Sequence, residues 1–190
     1  MASPSSSDRS GPRPSGRGPE NPDNDAFGLL GLAPRYDVDP AQLERAFFER
    51  SKELHADKFA TAPAAERVQA LQRSRALNDA YKLLKRDAAR AEYLLAREGV
   101  TIGANERVDP ALLMEFLEQR EELDAARVKG DTATIERGEA AMRERRRGAL
   151  AKVRELFAGG GDRQAIKAQL ILLRYVERYL EECSAALDED

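Results

Sequence analysis

Residues 39–55, DPAQLERAFFERSKELH, decide how the chain is read. The Asp39 carboxylate can cap a helix, and Pro40 fits the first helical position, where a missing N–H costs nothing. Leu43, Phe47 and Leu54 recur at helical spacing and would face a core, while Arg45, Glu49 and Lys52 line a wet outer face. The next residues, ADKFATAP, interrupt that period. From Ala64 to Leu84 a second pattern carries Val68, Leu71, Leu77, Tyr81 and Leu84, at three- and four-residue steps apart from the six between Leu71 and Leu77. Two helices of this length joined by a short loop predict an antiparallel hairpin.

On the N-terminal side, AFGLLGL predicts a short apolar helix ending near Pro34. On the C-terminal side, Asp87 can cap DAARAEYLLAREG, which Gly99 can terminate. Four helices then fill residues 25–98. The stretch VTIGANERV carries no helical period and contains Gly103 and Asn105, so residues 99–108 read as a linker.

A second Asp-Pro start, Asp109 and Pro110, opens ALLMEFLEQREELDAARVKG, with Gly130 as its stop. Residues 131–157 give another helix through Ile135, Met142, Ala149, Val153 and Leu156, and AGGGD at 158–162 breaks it with Asp162 as the next cap. The last helix is the most regular, with Ile166, Leu170, Leu173, Val176, Leu180, Cys183 and Leu187 forming the seam of a bundle. The expectation is an all-α chain: a helical hairpin with two short helices over 25–98, and a three-helix bundle over 109–188. Each part is expected to bury its own core.

Composition agrees. Of 190 residues, 42% are hydrophobic but only 6% aromatic with no Trp, the usage of straight-chain helix formers rather than β-branched strand formers. The net charge of -3 is mixed along the chain and gives no field that would gather nucleic acid or anionic lipid, so the expected partners are proteins. RERRR at 143–147 is the one basic run, and surrounding acids make it a solvated helix face. No apolar run approaches the ~20 residues that span a bilayer. Residues 1–24 hold Ser, Pro, Gly and Arg with hardly an apolar group and predict a disordered tail. Its acids, Asp8, Glu20 and Asp23, speak against an organelle presequence. The single cysteine, Cys183, cannot form an internal disulfide and suits a reducing compartment; its place on the last helix's stripe makes it a small core residue rather than a reactive thiol.

The chain has one histidine, His55. Catalysis by a lone His needs an orienting carboxylate and a nucleophile, and a metal site needs further ligands. Neither constellation is visible, one Cys cannot hold an iron-sulfur cluster, and no Gly-rich phosphate loop follows a strand. The chain therefore reads as a non-enzyme without a cofactor. Two uses remain for His55. Either it satisfies the carbonyls and dipole of a helix C-terminus, or it joins Asp57 and Lys58 as donors and acceptors on an exposed hairpin tip, where docking loses little entropy.

A short helix, a helix ending in His-x-Asp-Lys, an antiparallel helix carrying LNDAYKLL, then RAEYLL at 90–95 and LMEFLEQREELD at 113–124 resemble the J-type co-chaperones of iron-sulfur cluster assembly, the HscB family. The resemblance covers about residues 25–187. It implies a J-domain over 25–98 that engages a DnaK-type (HscA-like) chaperone and stimulates its ATPase, and a C-terminal bundle that binds the cluster scaffold IscU. The residues it implies for the chaperone are His55, Ala56 and Asp57, with Arg50, Lys52 and Lys58 steering electrostatically. For the scaffold it implies Leu113, Met114, Leu117, Glu118, Glu121 and, on the last helix, Tyr175. Helix arithmetic supports part of the second set: Leu112, Phe116 and Leu123 already make one core stripe, so Leu113, Met114 and Leu117 are surplus apolar surface. The plainer alternative makes Leu113 and Leu117 core, with Met114 an isolated surface residue.

The chain departs from that family in one place. The hairpin tripeptide His-Pro-Asp has Ala56 at its middle position. Proline would stop a helix there, whereas Ala could let the first hairpin helix run on past His55. If the loop holds, the lost preorganisation costs only ~0.4–1 kcal/mol. If it does not, the chain is a scaffold-binding adaptor with an impaired hairpin. The tail lacks the cysteines of a metal module, which fits a bacterial-type, cytoplasmic protein.

Overall fold

The computed structural model describes residues 25–54, 56–59, 61–104, 106 and 108–188, and the side chains of all of these except Ala56 and Asp57. The predicted tail over 1–24 lies outside them. Among the described residues the regular structure is all helical: α1 (Ala26–Leu30), α2 (Pro40–Glu53), α3 (Ala64–Lys85), α4 (Asp87–Arg97), α5 (Pro110–Lys129), α6 (Thr132–Ala158) and α7 (Arg163–Asp188), with a 3-10 turn at Ala56–Phe59.

Short polar residues start the helices by local chemistry. Asp39 and Asp109 accept the amides of Ala41 at 3.0 Å and Ala111 at 2.8 Å, each with proline at the next position. Asp25, Asp131 and Asp162 do the same for α1, α6 and α7, accepting from Gly28, Thr134 and Gln164. Asp87 is a correction: it is the first residue of α4 rather than its cap, and its carboxylate accepts from Arg90 instead of an amide. The first helix also ends earlier than Pro34. Gly31 takes the left-handed conformation, φ 67°, and its amide closes on Phe27 and Gly28, so α1 stops at Leu30.

Two apolar clusters hold the molecule. The first contains Phe27, Leu30, Leu43, Leu77, Leu84 and Leu95 from the N-terminal helices together with Val153 of α6 and Ile166, Leu170 and Leu173 of α7. The second contains Phe116, Leu123, Ile135, Met142, Val176, Tyr179 and Cys183 from α5, α6 and α7. The N-terminal helices therefore share a core with one end of α6 and α7 instead of closing a separate one. Tyr36 stacks on Phe157 across the joint, ring centroids 4.8 Å apart.

Polar groups tie the same joint. Arg174 on α7 donates to the Gly103 carbonyl at 2.9 Å and to Glu92 of α4 at 2.7 Å, and Lys167 pairs with Glu106 at 2.7 Å. The linker is thus fastened along α7. Arg90, 4% exposed, donates to the carbonyls of Tyr36 and Leu84 and to Asp87, with its guanidinium over the Tyr36 ring at 5.1 Å. A buried cation is tolerable only with its donors satisfied in this way.

The α2–α3 hairpin forms as expected, with Phe47 stacked on Tyr81 at 4.3 Å. Val68 and Leu71, however, are not core: each is 53% exposed. At 100° per residue Val68 and Leu71 lie about 180° and 120° round α3 from Leu77, whereas Ala70, Leu77 and Leu84 share the buried side, so the apolar residues at 68 and 71 fall off the inner face.

Candidate interaction surfaces

The first surface is the tip of the hairpin. Basic residues in the last turn of α2 complement the helix dipole, and the helix ends at Glu53 with Leu54 as its C-cap. It does not run on past position 55, although an alanine stands at 56. The backbone instead makes a 3-10 turn from Ala56 to Phe59 that packs on α3. His55 lies outside the described residues, and for Ala56 and Asp57 only the backbone is described. Lys52 and Lys58 are exposed. Arg50 is exposed too, but its guanidinium pairs with Glu53 at 3.4 Å and lies over Gly31, so it is directed towards α1 and not past the tip.

The second surface is on α5. Phe116, Leu123 and Ala126 are buried against α6 and α7. On the other side of the helix Leu113 is 40%, Met114 57% and Leu117 44% exposed, and Glu118 and Glu121 are exposed beside them. These five share one side by helical spacing. Tyr175 is half-buried, its ring 5.5 Å from Phe116, and so lies under the N-terminal half of α5 more than beside it.

Charge pairs hold α5 in place from its flanks. Glu115 takes a two-pronged contact from Arg145 of α6 at 2.6 and 2.9 Å, and this arginine also covers the Phe116 ring at 5.0 Å. The hydrogen bond from Arg145 keeps the Glu115 carboxyl below its ordinary pKa. Arg120 reaches Glu182 of α7 at 2.8 Å.

The basic run 143–147 offers no free patch. Arg143 pairs with Glu139, Arg145 with Glu115, Arg146 with Glu177 and Arg147 with Glu144. Cys183 is fully buried, and burial pushes its thiol up to about 11. Among the described residues no group of His, Cys, Asp and Glu could hold a metal ion, and no helix is long and apolar enough to cross a membrane.

Comparison with known proteins fits this arrangement. Residues 108–184 match the family model described as the HSCB C-terminal oligomerisation domain. The co-chaperone protein HscB homologue of Bordetella pertussis is 37% identical over 165 residues, covering 86% of this chain and 96% of that protein. The chain belongs to the HscB co-chaperone family. The Bordetella parapertussis homologue matches at the same 37% identity. The structure of HscB from Vibrio cholerae superposes with a TM-score of 0.75 at 31% identity, covering 87% of this chain and 98% of that one. Human HscB superposes at 0.78 and 25% identity, covering 97% of this chain and 93% of that one.

Some features of these surfaces have no clear signal in the sequence. Arg90 sits in RAEYLL without any periodic mark of burial. Val128, 84% exposed near the end of α5, is a single apolar residue in a charged turn.

Proposed function

We propose that this HscB-family chain binds an IscU-type scaffold through the exposed side of α5 and presents it to a DnaK-type, HscA-like chaperone, whose ATPase it stimulates through the α2–α3 hairpin. It performs no catalysis itself, and its place is the cytoplasm. The observation that carries the reading is the exposure of Leu113, Met114 and Leu117 together, on the side of α5 that faces away from its own core. Three neighbouring apolar side chains left in water on an anchored helix are surface held ready for a protein partner. Lys52 and Lys58 supply positive charge at the hairpin tip, which would speed encounter with an acidic chaperone face.

Calorimetric titration of the full chain with the scaffold tests the first contact. Leu113→Ser combined with Leu117→Ser should weaken binding by about tenfold or more, since each removes apolar burial at the interface. Chaperone ATPase, measured without scaffold, should be unchanged by the same pair. Equal affinity of the double variant and the parent would move the scaffold site off α5.

A further inference from the structure

We propose that a notch between α5 and α6 is a binding site for an alkylammonium group, with the side-chain oxygen of Gln119 and the carboxylate of Glu122 as its acceptors. Gln119 stands two residues beyond Leu117, about 200° round α5, and so turns towards α6, away from the apolar ridge of Leu113, Met114 and Leu117. The site is separate from the surface proposed for the scaffold.

The Gln119 Oε1 atom is buried and accepts no hydrogen bond among the described residues. The other end of the amide fixes its orientation: Nε2 donates to Glu115 Oε1 at 3.4 Å, and the reverse placement would set two oxygens against each other. A buried carbonyl without a donor costs the fold free energy. Beside this one there is space. Gln119 lines a notch of about 230 Å³, several times the ~30 Å³ that one water takes. On the α6 side Gly138 and Ala141 are too small to fill it, and the buried side chains of Leu123 and Met142 give it apolar walls.

Charge narrows the ligand. Glu122 lies three residues on from Gln119, exposed at the rim, and has no ion-pair partner among the described residues. Its field reaches the notch: after burial and Cys183, Glu122 is the next group holding the Tyr179 hydroxyl above its ordinary pKa. The cation of the lining, Arg137, is engaged at the other end, where it donates to Thr134 Oγ1 at 2.7 Å. The unspent groups are therefore acceptors, one neutral and one anionic, next to apolar walls. An ammonium on a methylene stem answers all of them, with N–H for Gln119, positive charge for Glu122 and carbon for Leu123 and Met142. A protein's lysine side chain and a free alkylamine share that chemistry.

The test is a titration of the isotope-labelled full chain, followed by NMR at the Gln119 side-chain amide and the Met142 methyl. Addition of n-butylammonium chloride should shift both signals saturably, and sodium chloride at equal ionic strength should not. A capped Gly-Lys-Gly peptide that binds as the amine does assigns the site to lysine side chains; binding of the free amine alone assigns it to an alkylamine. Shifts that sodium reproduces, or that grow without saturating, leave ordinary water as the occupant and overturn the proposal. Glu122→Gln, on an exposed side chain, should keep the parent's urea midpoint and weaken binding by about fivefold. Gln119→Leu should abolish binding while holding or raising the midpoint, because it removes an acceptor that the fold leaves unpaired. A lowered midpoint with binding intact would make Gln119 a structural group and end the proposal. Equal affinity of Glu122→Gln and the parent would end it too, whatever Gln119→Leu does to the fold.

Discussion

The hairpin tip and the α5 ridge display their groups in opposite ways. At the tip the exposed groups are charged, Lys52 and Lys58, and they stand around a turn between helices of unequal length. On α5 they are apolar, and they stand on one helix whose other side is packed and whose flanks are pinned by Glu115–Arg145 and Arg120–Glu182. Charge attraction is screened by salt and apolar contact is not. On the proposed function, one molecule thus carries two docking surfaces that answer to different conditions. Raising salt should depress chaperone stimulation markedly and shift scaffold affinity little; equal slopes for the two would erase the distinction.

Both surfaces depend on the joint between them, and the largest expected effect comes from breaking it. Arg90→Leu removes the donors to the Tyr36 and Leu84 carbonyls and leaves Asp87 without its partner. The expected loss is about 3 kcal/mol, in the range for a buried charged group whose partners are left unpaired. Because Val153, Ile166 and Leu170 share the first core cluster with α1 to α4, the urea transition should stay single and move as a whole. Two separated transitions would show that the halves fold independently and that the two surfaces sit on separate modules.

Alkaline pH should act on the bundle. Burial pushes the Tyr179 hydroxyl up to about 12 and the Cys183 thiol up to about 11, from ordinary values of 10.0 and 9.0. The unfolded chain gives up these protons first. The stability they support is therefore complete below pH 9 and is lost as the pH rises from there through 11 and 12. Urea midpoints should fall over that range, and Cys183→Ala should flatten the lower part of the fall. A thiol reagent at about pH 8 should label Cys183 only as fast as the bundle opens.

A smaller effect with an unusual sign should come from Gly138, in the interior of α6. Replacing a helix-interior glycine with alanine ordinarily adds ~0.5–1 kcal/mol. Here a Cβ would lie 2.7 Å from the hydroxyl of the buried Tyr179 ring. Gly138→Ala should therefore destabilise the bundle, by about 1 kcal/mol as overpacking does. Tyr179→Phe in the same background should recover part of the loss, while hairpin function stays unchanged.

Much of this architecture is legible in the sequence because its signals are local. Asp39–Pro40 and Asp109–Pro110 mark helix starts by chemistry within three residues, and Gly130 marks a stop by its left-handed backbone. The stripe from Ile166 to Leu187 reports a buried face directly. What periodicity does not report is which side of a helix is covered, and by what. Val68 and Leu71 are three residues apart, as core neighbours are, yet stand in water because the buried side of α3 is the one that carries Ala70, Leu77 and Leu84. The apolar positions of α6 likewise form one series, yet Ile135 and Met142 pack in one cluster and Ala149 and Val153 in the other. The surplus apolar side of α5 could be counted from Leu113, Met114 and Leu117. Arg90 could not be read as buried, since two of its three partners are backbone carbonyls, one of them 54 residues away.

The smallest expected effect falls on the tip, and it separates a working hairpin from an idle one. The 3-10 turn over Ala56–Phe59 shows that α2 stops at Glu53 without a proline to stop it. What proline would add at position 56 is restriction of the unbound loop, worth ~0.4–1 kcal/mol. Ala56→Pro should thus raise chaperone ATPase stimulation by about two- to fivefold, the rate equivalent of that energy. Scaffold affinity, which the proposed function assigns to the apolar surface, should be identical in the two proteins. If the parent chain gives no stimulation and Ala56→Pro restores it in full, the turn alone is insufficient. The chain would then be an adaptor whose hairpin needs the proline to aim its polar groups, and only the ridge would remain as a working surface.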